Sequence, residues 1–199
     1  LTETTWTYKT QFNVGAKTLE KEHLELHFEG IDTYASILLN GIEILETDNA
    51  FLHWKKKVKP LLKKENELVV VLHSPLEIGR EKAAANPYVL PEGNRVYTRK
   101  AQFQYGWDWG PKLNTMGIIK PIYIEAYNHF KIEDVYIKQN CIQDSTANLT
   151  AQITLSTAVS DPLTYQIKVN DSIYPIKITD SLLPSQSLAT QEVHFEISK

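Results

Sequence analysis

Asn40-Gly41 stands between two apolar runs, Tyr34-Ala35-Ser36-Ile37-Leu38-Leu39 and Ile42-Glu43-Ile44-Leu45. Both residues accept positive φ, which a two-residue hairpin demands, so this stretch has to fold back on itself as antiparallel β-structure. A hairpin cannot stand alone, and its neighbours must supply strands that pair with it. Leu24, Leu26 and Phe28 alternate with Glu25, His27 and Glu29, the period-two signature of a half-buried strand, and Glu29-Gly30 ends it. Trp6, Tyr8, Gln11 and Phe12 mark an aromatic-rich strand over 6–12. Glu67-Leu68-Val69-Val70-Val71-Leu72-His73 reads as a strand buried on both faces.

The segments between these strands are less regular. Asp48-Asn49-Ala50-Phe51 reads as a loop, with Phe51 or Trp54 packing against the sheet. Lys55-Lys56-Lys57-Val58-Lys59 and Lys63-Lys64 read as a solvated surface, because no phosphate-cradling glycines accompany them and the net charge is −3. Pro60-Leu61-Leu62 begins a short helical turn, and Leu76 to Ala85 favours a helix by propensity until Asn86-Pro87 stops it. A long surface excursion then reaches Asn94-Arg95, and such insertions are where sites tend to be assembled.

That excursion delivers the chain to Arg99-Lys100-Ala101-Gln102-Phe103-Gln104-Tyr105-Gly106-Trp107-Asp108-Trp109-Gly110-Pro111, which holds two of the four tryptophans. Gly106 and Gly110 bracket Trp107, Asp108 and Trp109 so that the backbone can turn through conformations closed to other residues, and Pro111 stiffens the exit. Aromatic faces beside a carboxylate suit a sugar, with its apolar C–H faces and rim of hydroxyls. A buried tryptophan cluster with Asp108 capping a backbone amide fits the same residues.

After Pro111, Gly117-Ile118-Ile119 and the strand Pro121 to Tyr127 complete a first domain over residues 1–128. Beyond Asn128-His129-Phe130 the pattern turns short and regular: 132–138, 148–156, 164–169, 174–178 and 192–197, with Asp161-Pro162 and Asn170-Asp171 as turns. This predicts a second all-β sandwich over 129–199.

Composition narrows the partners. With 21 basic and 24 acidic side chains there is no general attraction to nucleic acid or anionic membrane. Cys141 is alone and reads as a small apolar side chain, so no disulfide framework or cysteine-rich metal site is possible. The six histidines show no ligand spacing, and His23 and His27 read as solvated residues on one strand face, so no metal is expected. No apolar run approaches the roughly 18 residues of a membrane span. The chain opens at Leu1 and reads as excised from something longer.

The stretch Lys100-Ala101-Gln102 and Tyr105-Gly106-Trp107-Asp108-Trp109-Gly110-Pro111, followed by Gly117-Ile118 and Pro121-Ile122, resembles the amino-terminal domain of β-mannosidases of glycoside hydrolase family two. Phe28-Glu29-Gly30-Ile31-Asp32-Thr33-Tyr34-Ala35 and Leu39-Asn40-Gly41 match the sandwich signature that family shares with β-galactosidases and β-glucuronidases. The resemblance implies an all-β chain: a jelly-roll, galactose-binding-like β-sandwich, then an immunoglobulin-like β-sandwich truncated at its C-terminal end. It implies a (β/α)8 barrel outside these residues, carrying the acid/base and nucleophile glutamates of a retaining mechanism.

The catalytic residues are therefore none of those present, no cofactor is implied, and the fragment should be inactive alone. The substrate-binding residues implied are Trp107 on the pocket wall, Asp108 accepting hydrogen bonds from the non-reducing mannose, and Trp109 packed behind them. A β-mannoside or manno-oligosaccharide and the barrel are the implied partners, and an extracytoplasmic location is favoured. The alternatives are a free-standing carbohydrate-binding module, an accessory domain of another family-two glycosidase, and a purely structural pair of sandwiches.

Overall fold

Alternation along each strand decides which side of the first sandwich it buries. The computed structural model describes residues 3–157, 164–169, 172–177 and 188–198. These fall into two compact units, Leu1–Ala126 and Tyr127–Lys199.

The first unit runs β1 (Trp6–Asn13), α1 (Ala16–Leu19), β2 (His23–Phe28), β3 (Ile31–Asp32), β4 (Tyr34–Leu39), β5 (Ile42–Asp48), β6 (Trp54–Lys57), β7 (Glu65–His73), α2 (Pro75–Ala85), β8 (Gly117–Ile118) and β9 (Ile122–Tyr127). One sheet has the order β1-β7-β4-β5, a second β6-β2-β9, and β3 pairs with β8 alone.

The Asn40-Gly41 hairpin forms as its residues dictate, with φ of 53° and 81° and Leu39 opposite Ile42. Asn40 is also a structural tie, donating from Nδ2 to the Leu61 carbonyl at 2.8 Å and accepting from the Glu67 amide at 2.9 Å. Inward from the hairpin, Ala35, Ile37 and Leu39 of β4 stand opposite Leu72, Val70 and Leu68 of β7. They join Leu24, Leu26 and Phe28 of β2 in one core cluster. Phe28, Ile31, Ile37, Leu39 and Leu72 have 0% exposure, and burying each such side chain stabilises by about 1.5–3 kcal/mol.

Some expectations need correcting. Strand β7 buries Leu68, Val70 and Leu72 but leaves Val69 and Val71 half-buried, so it is not enclosed on both faces. An antiparallel sheet needs only one face on the core, and a run of valines hides the alternation that marks which. Lys55, Lys56 and Lys57 do face solvent, but from strand β6, where Lys55 stands opposite His27 and Lys57 opposite Glu25. Trp54 packs on the core while Phe51 is 64% exposed.

Helix α2 begins where Ser74 Oγ accepts from the Glu77 amide at 3.2 Å, with Pro75 in the first turn. It ends at Asn86, which is extended because Pro87 follows. Gly79 of α2 lets the excursion lie close, since a Cβ there would come within 3.2 Å of Asn94. The Tyr34 hydroxyl donates to the Tyr97 carbonyl at 3.0 Å and pins the same segment.

The second unit holds β10 (Phe130–Ile142), β11 (Thr146–Thr157), β12 (Thr164–Val169), β13 (Ser172–Lys177) and β14 (Leu188–Ser198). Strands β10, β11 and β14 form one antiparallel sheet, and β12 pairs antiparallel with β13. Alternate residues Ala151, Ile153 and Leu155 of β11 bury with Phe195 of β14. The first two strands run longer than the sequence suggested, and irregularities at Ile132/Asp134 and Gln139/Cys141 interrupt their ladder. Cys141 is exposed rather than packed as an apolar side chain. The turns expected at Asp161-Pro162 and Asn170-Asp171 lie outside the described residues.

Candidate functional site

A single 3₁₀ turn, Gln102–Tyr105, brings the chain to Gly106, whose φ of 129° lies where L side chains rarely go. A Cβ there would also approach the Lys112 side chain to 3.1 Å. Gly110 has no positive φ and an ordinary environment, so only one of the two bracketing glycines is conformationally required. Between them the chain turns outward. Trp107 is 66% exposed and Trp109 89%, and Asp108 is exposed as well.

This removes the buried-cluster reading, since neither indole is buried and Asp108 caps no amide among the described residues. Trp109 is the more exposed of the two rings. Phe103, Trp107, Trp109, Pro111 and Leu113 line an open hollow of about 510 Å³. Its walls are mostly apolar, and the exposed Asp108 lies in the chain between two of its lining residues, Trp107 and Trp109.

Under this exposed tip the stems are tightly held. Lys100 and Asp32, with side chains 0% and 5% exposed, form an ion pair at 3.2 Å. The Lys100 ammonium also donates to the Thr115 carbonyl, and Thr33 Oγ1 donates to Asp32. Burial pulls the Lys100 pKa below its ordinary value, against the charge and hydrogen bond of Asp32, which raise it.

Gln104 Nε2 donates to Asp32 Oδ2 at 3.3 Å, and Gln104 Oε1 accepts from the Thr115 amide at 3.1 Å. Burial raises the phenol pKa of Tyr105, which Thr98 and Asn114 counter by hydrogen bonding. That contact is loose: the Tyr105 hydroxyl, Thr98 Oγ1 and Asn114 Oδ1 are all buried without a well-formed hydrogen bond. The sequence names Lys100, Asp32 and Gln104 in its motifs but gives no sign of their meeting, because a lysine in a loop reads as solvated.

Two other groupings of polar side chains lie in the first unit. A hollow of about 410 Å³ beside α2 contains Ser36, His73, Tyr34 and Lys82, but Ser36 Oγ is 3.0 Å from His73 Nε2 and Lys82 donates to Tyr34 at 3.1 Å. These four polar groups satisfy one another in pairs. His27 Nε2 lies 3.4 Å from Glu25 and 3.2 Å from Glu125, and its ring stacks on Tyr123 at 5.0 Å. His27 is therefore not a solvated strand residue. Among the described residues this trio has the spacing of a metal site, but both carboxylates have further partners.

Residues 1–120, more than half of the chain, match the glycosyl hydrolase 2 galactose-binding domain-like family. The chain belongs to that family. This family's β-sandwich is the first unit described above, and the loop projects from it.

Relatives agree. Beta-mannosidase B of Thermothelomyces thermophilus is 37% identical over 140 residues, which is 67% of this chain and 16% of that protein. Beta-mannosidase of Mus musculus is 35% identical over 134 residues, 62% of this chain and 15% of its own length. The crystal structure of Beta-D-Mannosidase from Dictyoglomus thermophilum superposes with a TM-score of 0.89 at 33% identity, over 99% of this chain and 25% of that one. The chain thus spans a quarter or less of the length of these β-mannosidases.

Proposed function

We propose that this chain is the non-catalytic part of a retaining exo-β-mannosidase whose Trp107-Asp108-Trp109 loop completes the non-reducing mannose subsite of a (β/α)8 barrel outside these residues. The observation that carries the reading is the loop itself: two indoles and a carboxylate are turned into solvent above a buried, charged base. Exposed tryptophans are costly in water, and a rigid segment presenting them beside an acid is suited to a polyhydroxylated ring. Similarity to β-mannosidases along the first unit supports the choice of sugar.

The same reading assigns 1–128 to a jelly-roll domain and 129–199 to an immunoglobulin-like sandwich. In the reading, Asp108 accepts hydrogen bonds from mannose hydroxyls, Trp107 forms wall, and Trp109 is covered by chain that lies outside these residues. One carboxylate cannot serve as both acid and nucleophile, so catalysis resides in the barrel and the 199 residues alone hydrolyse no glycoside.

Asp108→Ala in the full-length protein tests the reading. Hydrogen bonds to a charged acceptor are worth roughly 1.5–3 kcal/mol each, so losing one or two lowers kcat/KM by about 10- to 10³-fold. The melting temperature should hold, because Asp108 has no described partner. Unchanged kcat/KM removes Asp108 from the sugar site. Titration of the 199-residue chain with mannose and mannobiose separates the alternative, since a free-standing binding module binds alone and half a pocket does not.

A further inference from the structure

The loop that carries Trp107, Asp108 and Trp109 is exposed at its tip, yet both of its stems converge on one buried carboxylate. On the entry side, Lys100 Nζ lies 3.2 Å from Asp32 Oδ1, and Gln104 Nε2 donates to Asp32 Oδ2 at 3.3 Å. On the exit side, the Thr115 carbonyl accepts from Lys100, while its amide and hydroxyl donate to Gln104 Oε1 at 3.1 and 3.3 Å. Asp32 is itself fixed in β3, where it stands opposite Gly117 of β8. The well-formed hydrogen bonds and the ion pair described across the base of the loop therefore pass through Lys100, Asp32 or Gln104.

We infer that Lys100, Asp32 and Gln104 are positioning residues, which clamp the two stems of segment 105–113 to β3 so that Trp107 and Asp108 are presented in one geometry. Lys100 and Asp32 lie outside the hollow, whereas Gln104 lines it with its amide turned to the stems. Lys100 and Asp32 are buried, and the Gln104 amide uses one end on Asp32 and the other on Thr115. A buried ion pair is a poor way to gain stability, because desolvating two charges offsets their attraction. It is an effective way to specify one arrangement, since displacing either stem would strand a charge in an apolar setting. Bound sugars need that definition, because a displacement of about 1 Å in a binding group can cost about 10²-fold in rate.

The effect on catalysis rests on the sugar role proposed above; the clamp itself does not. Backbone amide exchange over 105–113, compared with exchange in β4, reads the clamp directly in the full-length protein, and hydrolysis of a nitrophenyl β-mannoside reads its consequence. Gln104→Ala leaves the Lys100–Asp32 pair intact and should fold; Lys100→Met is the stronger variant. Gln104→Ala should speed exchange in 105–113 by about 10-fold or more with β4 unchanged, and lower kcat/KM by about 10- to 100-fold. Unchanged exchange in 105–113, or equal acceleration in β4, overturns the clamp. Acceleration confined to the loop with normal hydrolysis upholds the clamp and overturns the sugar role of the loop instead.

Discussion

Lys100 Nζ sits 3.2 Å from Asp32 Oδ1 with both side chains shut away from water, which ties the stem of the exposed Trp107-Asp108-Trp109 loop to a strand laid down far earlier in the chain. Breaking one half of such a pair is costly. Lys100→Met strands the Asp32 charge and should lower stability by about 3–5 kcal/mol. Adding Asp32→Asn removes that stranded charge, so the double variant should be more stable than the sum of the singles implies, by about 0.5–3 kcal/mol. Urea unfolding of the four proteins measures the coupling, and strict additivity would mean the two charges do not sense each other.

Tyr105 gives the pH dependence. Burial raises its phenol pKa above the usual value near 10, so above that pH the folded protein keeps a proton that the unfolded chain releases. The stability tied to this group is complete below about pH 10 and falls as the pH climbs through the folded pKa. Tyr105→Phe should cost little at pH 7, because the hydroxyl has no well-formed partner, and should flatten the loss of stability above about pH 10. Chemical denaturation at pH 7 and pH 10.5 compares the two proteins; an equal alkaline loss in both would assign the effect elsewhere.

Trp109 and Ile37 should separate surface presentation from folding. Trp109 is 89% exposed, so Trp109→Ala should shift unfolding by less than about 0.5 kcal/mol. Ile37 is 0% exposed in the centre of β4, and Ile37→Ala should cost about 2–5 kcal/mol through lost burial and the cavity left behind. If the loop serves a sugar site, Trp109→Ala in the full-length protein also weakens hydrolysis, whereas the melting curve of the 199-residue chain stays put. A large loss of stability from Trp109→Ala would show that the ring is packed in solution.

The local code of this chain is legible without coordinates. Asn40-Gly41 dictates its hairpin because few other residue pairs accept two consecutive left-handed positions, and both do so here at φ of 53° and 81°. Leu24, Leu26 and Phe28 name the buried face of β2 because a strand repeats every two residues, and Leu76 to Ala85 mark α2 by propensity up to Asn86-Pro87. The Trp-Asp-Trp motif is equally plain as a motif. Whether its rings point inward or outward is not, since aromatic residues flanked by glycine suit a buried cluster and an exposed loop alike.

What the sequence cannot carry is the meeting of residues distant along the chain. The valines of β7 conceal which face is inner, and His27 lies between Glu25 and Glu125 only once β2 and β9 share a sheet. The same is true of Lys100. A charged side chain in a loop is by default solvated, and it becomes a buried brace only because β3 brings Asp32 to it and the far stem of the loop brings the Thr115 carbonyl. Residue types and spacing determined the strands, the hairpin and the composition of the loop, through backbone geometry and period. Burial of charge depends on non-local neighbours, so only the tertiary structure decided which of the loop's residues face solvent and which hold it in place.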